Sequence, residues 1–453
     1  MLSRSAETLP VSWLTISPLV QLTWLGAAVV VLTAAAPALF VHLGDNAFIA
    51  QALIVGLLAI RATQVAEKCP ERSGLLIVLG VALLLRLILI AVPPLLSDDI
   101  FRYVWDGRVQ AAGINPYRHV PAAEALAPLR DETIFTFINR KDYAVTIYPP
   151  AAQAFFFAVT RLGESVVVMK AALVACEGVT VLALIALLRR LRHPATRVVA
   201  YAWHPLVIWE IANNGHIDGA MTALMMLALW LYACRRITGA GIAAAIGALF
   251  KPFAILVLPV FWRPWDWCLP LVVAATATLL YVPYLSVGVG VFGFLPAYMG
   301  EERLDSGSAF WVVNTLQALV VPSPWWGRLY MAVGALILAG LALRAGFRRE
   351  RTLATAVGDI TGLILAFSVL LSSDYPWYFL MAVPFVALTG SPVGWALTVG
   401  GFVLYDVLPG DPQIHFAIRD AAFNLLVFAT MILVAVRARG WRGARLSGAL
   451  VPP

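Results

Sequence analysis

The sequence predicts an all-α, polytopic transmembrane helix bundle. Three observations carry that prediction. Hydrophobic residues make up 61% of the 453 residues and charged residues only 13%, where a soluble domain carries roughly 25% charged. The mean hydropathy is +0.85. Apolar runs recur along the whole length, each near the ~20 residues a helix needs to cross a bilayer. Residues 1–453 therefore read as a single integral membrane unit. Residues 1–17 are too polar for a secretory signal, and no small-residue cleavage site follows a short apolar core, so the first span is expected to remain.

In order, the runs lie near 19–41, 47–66, 74–96, 147–162, 166–188, 197–213, 217–234, 240–262, 267–286, 327–345, 356–372, 376–389, 391–408 and 418–436, which predicts about 12–14 spans. The formal charge of +7 does not point to nucleic acid. Arg and Lys gather in short loops between spans, as the positive-inside rule expects. Arg61, Lys68 and Arg72 mark the loop before the third span as cytoplasmic, so that span delivers Asp98 and Asp99 to the outer face. Arg344, Arg348, Arg349 and Arg351 form another inside loop, and Arg437, Arg439, Arg442 and Arg445 place the C-terminal end inside. Arg189, Arg190, Arg192 and Arg197 also read as cytoplasmic, yet two crossings between 147 and 188 would put them outside. A half-helix at 147–162, which is short and opens on TIYPP, removes the conflict; broken helices are tolerated at membrane depth where they line a cavity. The four cysteines, Cys69, Cys176, Cys234 and Cys268, show no CxxC spacing and lie mostly in or beside apolar runs, which argues against a zinc site or a disulfide framework.

Two stretches, 97–146 and 287–326, are long and not fully apolar, and both fall on the outer face. Their aromatics and charges predict ordered loops over a site. The first opens SDDIFRYVWDGRVQAAGINPY, directly after the hydrophobic span Leu75 to Leu96. Carboxylates where a chain leaves the bilayer are costly and mark a functional site by default. Taken as a helix, 98–112 sets Asp99, Arg102, Tyr103, Asp106 and Gln110 on one stripe and Ile100, Phe101, Val104 and Ala111 on the other side. That describes an interfacial amphipathic helix lying along the membrane surface, with Asp98 about 100° away from Asp99. A plain surface helix with Asp–Arg pairs has the same pattern. Tyr148-Pro149-Pro150 returns the chain to the bilayer and suits a helix start.

Further along, HPLVIWEIANNGHIDGA places Glu210, His216 and Asp218 around an Asn-Asn-Gly turn. Asp218 fits an N-terminal cap as well as a site, and HxD alone is a weak metal signal. Lys251, in GALFKPFAILVLP, sits at a proline break inside an apolar stretch. It is placed either to clamp a phosphate or to snorkel to an interface. If 240–262 is a hairpin of two half-helices, Lys251 lies near its tip. Finally, LSSDYPWYF brings Asp374, Tyr375, Trp377 and Tyr378 to the end of a span. Such aromatics belong to interface belts or stack on sugar rings.

These segments together (SDDIFRYVWDGRVQAAGINPY, TIYPP, NGHIDG, the in-membrane KP and DYPWYF) resemble the multispan glycosyltransferases of the GT-C superfamily, in particular the bacterial polyprenyl-phosphate-sugar-dependent mannosyltransferases of glycosyltransferase family 87. The resemblance covers about 75 to 435. It implies a transferase of the bacterial inner membrane, with its site on the periplasmic face. A hexose, mannose by the resemblance, would pass from a polyprenyl-phosphate donor to a glycolipid, polysaccharide or protein acceptor. The family's catalytic carboxylate maps onto Asp98 or Asp99, and the stripe favours Asp99. A carboxylate would take the acceptor hydroxyl's proton as that oxygen attacks the anomeric carbon. Arg102 and Lys251 are the candidates to stabilise the leaving phosphate. One base and one displacement would invert the anomeric centre. Asp106, Tyr148, His216, Asp218, Asp374, Tyr375, Trp377 and Tyr378 are the candidate substrate contacts. No cofactor is expected, no metal ligand is assigned, and a divalent metal stays undecided. Membrane lipid is the expected surrounding and nucleic acid no partner. The alternative class is a secondary transporter or lipid flippase, which should show repeat symmetry and midplane charges; no internal repeat is evident.

Overall fold

The computed structural model describes residues 16–307, 309–319, 324–405 and 412–448. The architecture is all-α. Helices α1 (Pro18–Leu43), α2 (Asp45–Ala66) and α3 (Glu71–Ile90) pack together. They are followed by α4 (Asp99–Ala111), α5 (Pro150–Thr160) and α6 (Val166–Arg190). The sequence sets several of these limits directly. Ser17 and Ser165 accept the Val20 and Val168 amides and start α1 and α6, the usual use of a hydroxyl at an N-cap.

After α6 come α7 (Asp218–Ala233), α8 (Ile237–Ala248), α9 (Cys268–Tyr281), α10 (Pro324–Gly346), α11 (Leu353–Leu370), α12 (Pro392–Gly400) and α13 (Pro412–Gly448), with shorter helical pieces between them. Among the described residues no strand forms beyond a single bridge of Phe310 with Ser373.

Among the described residues, eight helices are long and apolar enough to cross a membrane, nine if Pro205–Asn213 and Asp218–Ala233, bent by 118°, count as one. The 12–14 apolar runs thus overstate the full-length spans. Five of the apolar helices have only 10–17 residues. At 1.5 Å per residue such helices fall short of the ~30 Å hydrocarbon core.

Polar contacts sort the turns into two ends. At one end Arg189 pairs with Glu71 at 2.7 Å, Arg197 with Glu67 at 3.1 Å, and Arg190 donates to the Ala233 carbonyl at 2.6 Å. Tyr232 stacks on Phe261 there, and Arg351 donates to the Trp262 carbonyl. This is the basic end. The opposite end gathers the 97–146 segment, the turn after Asn213, Lys251 and residues 298–302. The two ends resolve the orientation conflict. α5 has 11 residues, begins beside the Leu249 carbonyl, which accepts the Ala152 amide, and leads to Glu164, which pairs with Arg108 of α4. It enters and returns at the same end, so α6 alone crosses in this region and carries Arg189 and Arg190 to the basic end.

One conditional reading is met and one expectation changes. The 240–262 run breaks as a hairpin: α8 ends at Ala248, Lys251 is extended, and Pro252–Val257 continues as a 3-10 helix. And α4 does not lie on a surface. Ile100, Arg102, Tyr103, Val104, Trp105, Asp106, Gly107 and Val109 are all buried, so both its polar and its apolar sides face protein. The polar side is accommodated by hydrogen bonds. Arg102 pairs with Asp106 at 2.8 Å, Gln153 of α5 donates to Asp106 at 2.9 Å and to Thr146 at 2.7 Å, and Gln110 donates to Gln153. Close approach is made possible by Gly107, where an added Cβ would lie 2.5 Å from the Phe156 carbonyl oxygen.

Candidate active site

The chain entering α4 is fixed from below. Asn213 and Asn214 accept the Leu95 amide at 3.1 and 3.2 Å, Asn214 also accepts that of Leu96, and Asn213 donates to the Pro93 carbonyl. Lys170 of α6 donates to the Val92 carbonyl at 2.6 Å. Asp98 and Asp99 therefore leave a clamped segment in a set direction. They diverge as their helical offset requires. Asp98 is exposed at the start of α4. Partial desolvation, with the neighbouring Asp99 adding to it, pushes its carboxyl above the usual range. Asp99 is half-buried, its side chain 28% exposed. Asn139, from the far side of the 97–146 loop, donates to its Oδ1 at 3.0 Å. Its Oδ2 lies 4.0 Å from Nδ1 of His216.

His216 is held in the turn between the Pro205–Asn213 helix and α7. Gly215 makes that turn with φ +70°, and a Cβ on it would meet Ile100 Cδ1 at 2.2 Å, so the close approach of this turn to α4 requires glycine. The preceding Ile208–Asn213 is a π-helix turn, a distortion frequent at functional sites. It directs Glu210 inward. The Glu210 carboxylate lies 3.1 Å from His216 Nε2, accepts from Asn214 at 3.1 Å and from the Tyr405 hydroxyl. The imidazole is fully buried. Both ring nitrogens sit off hydrogen-bond alignment, with a carboxylate on either side. Its face stacks on Trp377 at 4.6 Å and 17°, and Trp377 stacks in turn on Tyr375 at 4.6 Å and 12°. Both faces of the indole are covered, so Trp377 has none left for a sugar ring.

Lys251 stands next to this assembly. Its Nζ is 2.5 Å from Asp218 Oδ2 and 5.0 Å from the Tyr378 ring centroid, and its side chain is 15% exposed. Asp218 occupies the first turn of α7 without capping it; the cap expected of it is replaced by the lysine pair. The Tyr378 hydroxyl meets that of Tyr298 at 3.2 Å, and Tyr375 donates to Glu302 at 2.8 Å. Arg140 joins the two long segments by pairing with Glu301 and Glu302, both at 2.6 Å.

The structure thus brings Asp99, His216, Asp218, Lys251, Tyr375, Trp377 and Tyr378 together. It does not leave Arg102 or Asp106 facing a ligand. Arg102 is tied to Asp106 and to the Ala144 carbonyl at 3.2 Å, and both carboxylate oxygens of Asp106 are occupied. Tyr148 is buried against Tyr103 and Phe156. Asp374 is turned toward Arg303 and Arg419; burial, only partly offset by those cations, holds its carboxyl above the usual range. Asn139, Tyr298, Glu302 and Tyr405 were not singled out from sequence, since a lone Asn, Tyr or Glu in a loop carries no spacing signal. Among the described residues no group of three or more His, Cys, Asp or Glu side chains has the arrangement of a metal site.

Residues 19–267 match the alpha-(1->6)-mannopyranosyltransferase family (MptA_B family), N-terminal domain. The chain belongs to this family. It is a multi-pass membrane glycosyltransferase, and the family match supports the resemblance read from the acidic segment and the later aromatic motif. No curated protein and no solved structure matches the chain. The family match ends shortly after the Lys251 hairpin. In this mannopyranosyltransferase-family chain it contains Asp99, Asn139, Glu210, His216, Asp218 and Lys251, while Tyr298, Glu302, Tyr375, Trp377, Tyr378 and Tyr405 close the same assembly from beyond it.

Proposed function

We propose that the chain transfers a mannosyl unit from a polyprenyl-phosphate-linked donor to a glycolipid or polysaccharide acceptor, with Asp99 as general base. The observation that carries this reading is the contrast between the paired aspartates. Asp99 is partly accessible, is oriented by Asn139 through one oxygen, and adjoins His216 and, across the turn, the Lys251 pair. Asp98 is exposed, and its carboxylate does not cap α4.

Asp99 accepts the proton of the acceptor hydroxyl as its oxygen attacks the anomeric carbon. The bond to the lipid phosphate breaks and its electron pair leaves on the phosphate oxygen. Lys251, exchanging Asp218 for that phosphate, stabilises the charge that develops. Arg102 acts at one remove by fixing α4 through Asp106. One displacement inverts the centre, so an α-(1→6) product of the family's description requires a β-linked donor. Because the short basic turns that carry Arg189, Arg190, Arg197 and Arg351 lie at the other end of the molecule, the positive-inside rule supports a site on the periplasmic face of a bacterial inner membrane. The contribution of residues beyond 267 to the assembly supports the reading of the chain as one catalytic unit.

The test is transfer in liposomes from a panel of polyprenyl-phosphate sugars to envelope lipid extract, with Asp98→Asn and Asp99→Asn alongside wild type. Asp99→Asn is expected to lower turnover by about 10²–10⁴-fold and Asp98→Asn by far less. Equal activity of Asp99→Asn and wild type sinks the assignment. Movement of a lipid-linked sugar across the bilayer with no covalent product would favour a flippase.

A further inference from the structure

The imidazole of His216 has no access to a substrate: it is fully buried, with one face covered by Trp377. Yet it lies between two carboxylates. Nε2 is 3.1 Å from Glu210 and Nδ1 is 4.0 Å from Asp99, and neither nitrogen has another partner. Glu210 is itself fully buried and anchored by Asn214 and Tyr405, so it is the fixed member. A carboxylate on one ring nitrogen sets the tautomer of the other. With the proton on Nε2, beside Glu210, the lone pair is left on Nδ1, the nitrogen 4.0 Å from Asp99. Asp99, the half-exposed member, lies 4.0 Å away, and catalytic hydrogen bonds are commonly long without substrate.

We propose that His216 is a positioning residue that relays the acceptor's proton away from Asp99, with Glu210 and Trp377 holding the imidazolium that forms. The proposal rests on the reading of Asp99 as base. The balance is as follows. The acceptor O–H bond breaks, its electron pair forms the bond to the anomeric carbon, and the proton lands on Asp99. Asp99 then gives that proton to Nδ1 and regains its carboxylate. His216 becomes an imidazolium between Asp99 and Glu210, and the proton returns to water after product leaves. The stack on Trp377 favours the cationic ring. The other charged or titratable groups around it are Tyr103 on α4, Tyr405 against Glu210, Asp218 on α7 paired with Lys251 of the hairpin, and Lys170 on α6, whose amine is taken by the Val92 carbonyl. None of these presents a second proton acceptor to Nδ1.

The test compares full-length wild type, Asp99→Asn, His216→Gln, His216→Gly and Glu210→Gln in liposomes, with polyprenyl-phosphate mannose as donor and octyl mannoside as acceptor. Glutamine keeps a donor toward Glu210 but takes no proton. His216→Gln is expected to lower kcat by about 10²-fold with both KM values unchanged. Added imidazole is expected to restore part of kcat in His216→Gly, whereas pyrazole, a ring of the same size that takes no proton near neutral pH, is expected to restore none. Wild-type kcat in His216→Gln, or equal rescue of His216→Gly by imidazole and pyrazole, overturns the relay and leaves His216 a packing residue. Loss of activity in Asp99→Asn with either of those results removes the relay alone. Full activity in Asp99→Asn removes the base assignment and the relay with it. If His216→Gln does not melt cooperatively in detergent, Glu210→Gln decides, and wild-type kcat there overturns the proposal.

Discussion

Single residues carry most of the chemistry, and several are constrained by geometry that one substitution would break. Gly215 combines φ +70° with a Cβ position 2.2 Å from Ile100 Cδ1. Gly215→Ala is expected to cost about 1–3 kcal/mol through strain and overpacking. Because it displaces the turn beneath α4, activity should fall more than the melting temperature implies; unchanged turnover would show that this turn does not position Asp99. Lys251→Met is expected to lower kcat/KM for the donor about 10²–10³-fold, measured by steady-state transfer, while a loss limited to the acceptor's KM would remove Lys251 from the phosphate. At this scale the sequence was informative where a charge stands against an apolar background: Asp98, Asp99, Asp218 and Lys251 were all visible that way. It could not show that Arg102 and Asp106 neutralise each other, because a stripe of polar residues looks alike whether it meets ligand or protein. Nor could it show that Trp377 has both faces covered, since that follows from a residue more than a hundred positions away.

At the level of elements, two buried polar contacts lend themselves to measurement. Arg86 of α3 donates to Glu177 of α6 at 2.5 and 3.1 Å and to the Ala202 carbonyl at 2.5 Å, with both side chains 4% exposed. Removing one partner leaves a buried charge. Glu177→Ala is expected to destabilise by about 3–5 kcal/mol, whereas exchanging both residues for methionine should recover much of that loss, as read by thermal melting in detergent. The second contact is Asp131, in the loop after α4. It accepts from Arg108 at 2.8 Å and from the Ile134 and Phe135 amides at 2.8 and 3.1 Å. Burial, the largest single influence, would raise its carboxyl; the hydrogen bonds and the Arg108 charge together outweigh it and hold the carboxyl well below the usual range. A depressed carboxyl contributes stability above its unfolded value and loses it as pH falls through the folded one. Loss of loop order below about pH 4, followed by proteolysis, is therefore expected in wild type. Asp131→Asn should be weaker at neutral pH and lack that step; an acid response identical in both would dismiss the contact. Element boundaries were legible where proline or a cap residue marks them, as at Pro150 and Ser165. The burial of α4 was not, because amphipathicity does not say whether the polar side faces water or Gln153.

For the whole molecule, the ring of contacts over the site is closed by Arg140, which ties the 97–146 segment to Glu301 and Glu302 while Glu302 also receives Tyr375. Arg140→Ala is expected to raise the KM for the acceptor several-fold with little change in kcat, because it loosens the roof without touching Asp99; a fall in kcat alone would place Arg140 nearer the chemistry. The bundle as a class followed from composition, but the number of full-length spans did not, since a short half-helix and a bilayer-crossing helix share the same hydropathy. The Lys251–Asp218 pair has one more consequence. A transferase in a membrane is surrounded by phospholipid headgroups that vastly outnumber any glycosylated carrier. With its ammonium already matched by the Asp218 carboxylate, Lys251 offers a bare phosphodiester little. With Lys251 as the proposed phosphate clamp, only a carrier whose sugar makes further favourable contacts would displace Asp218, and the pair would act as a filter against the solvent the enzyme lives in.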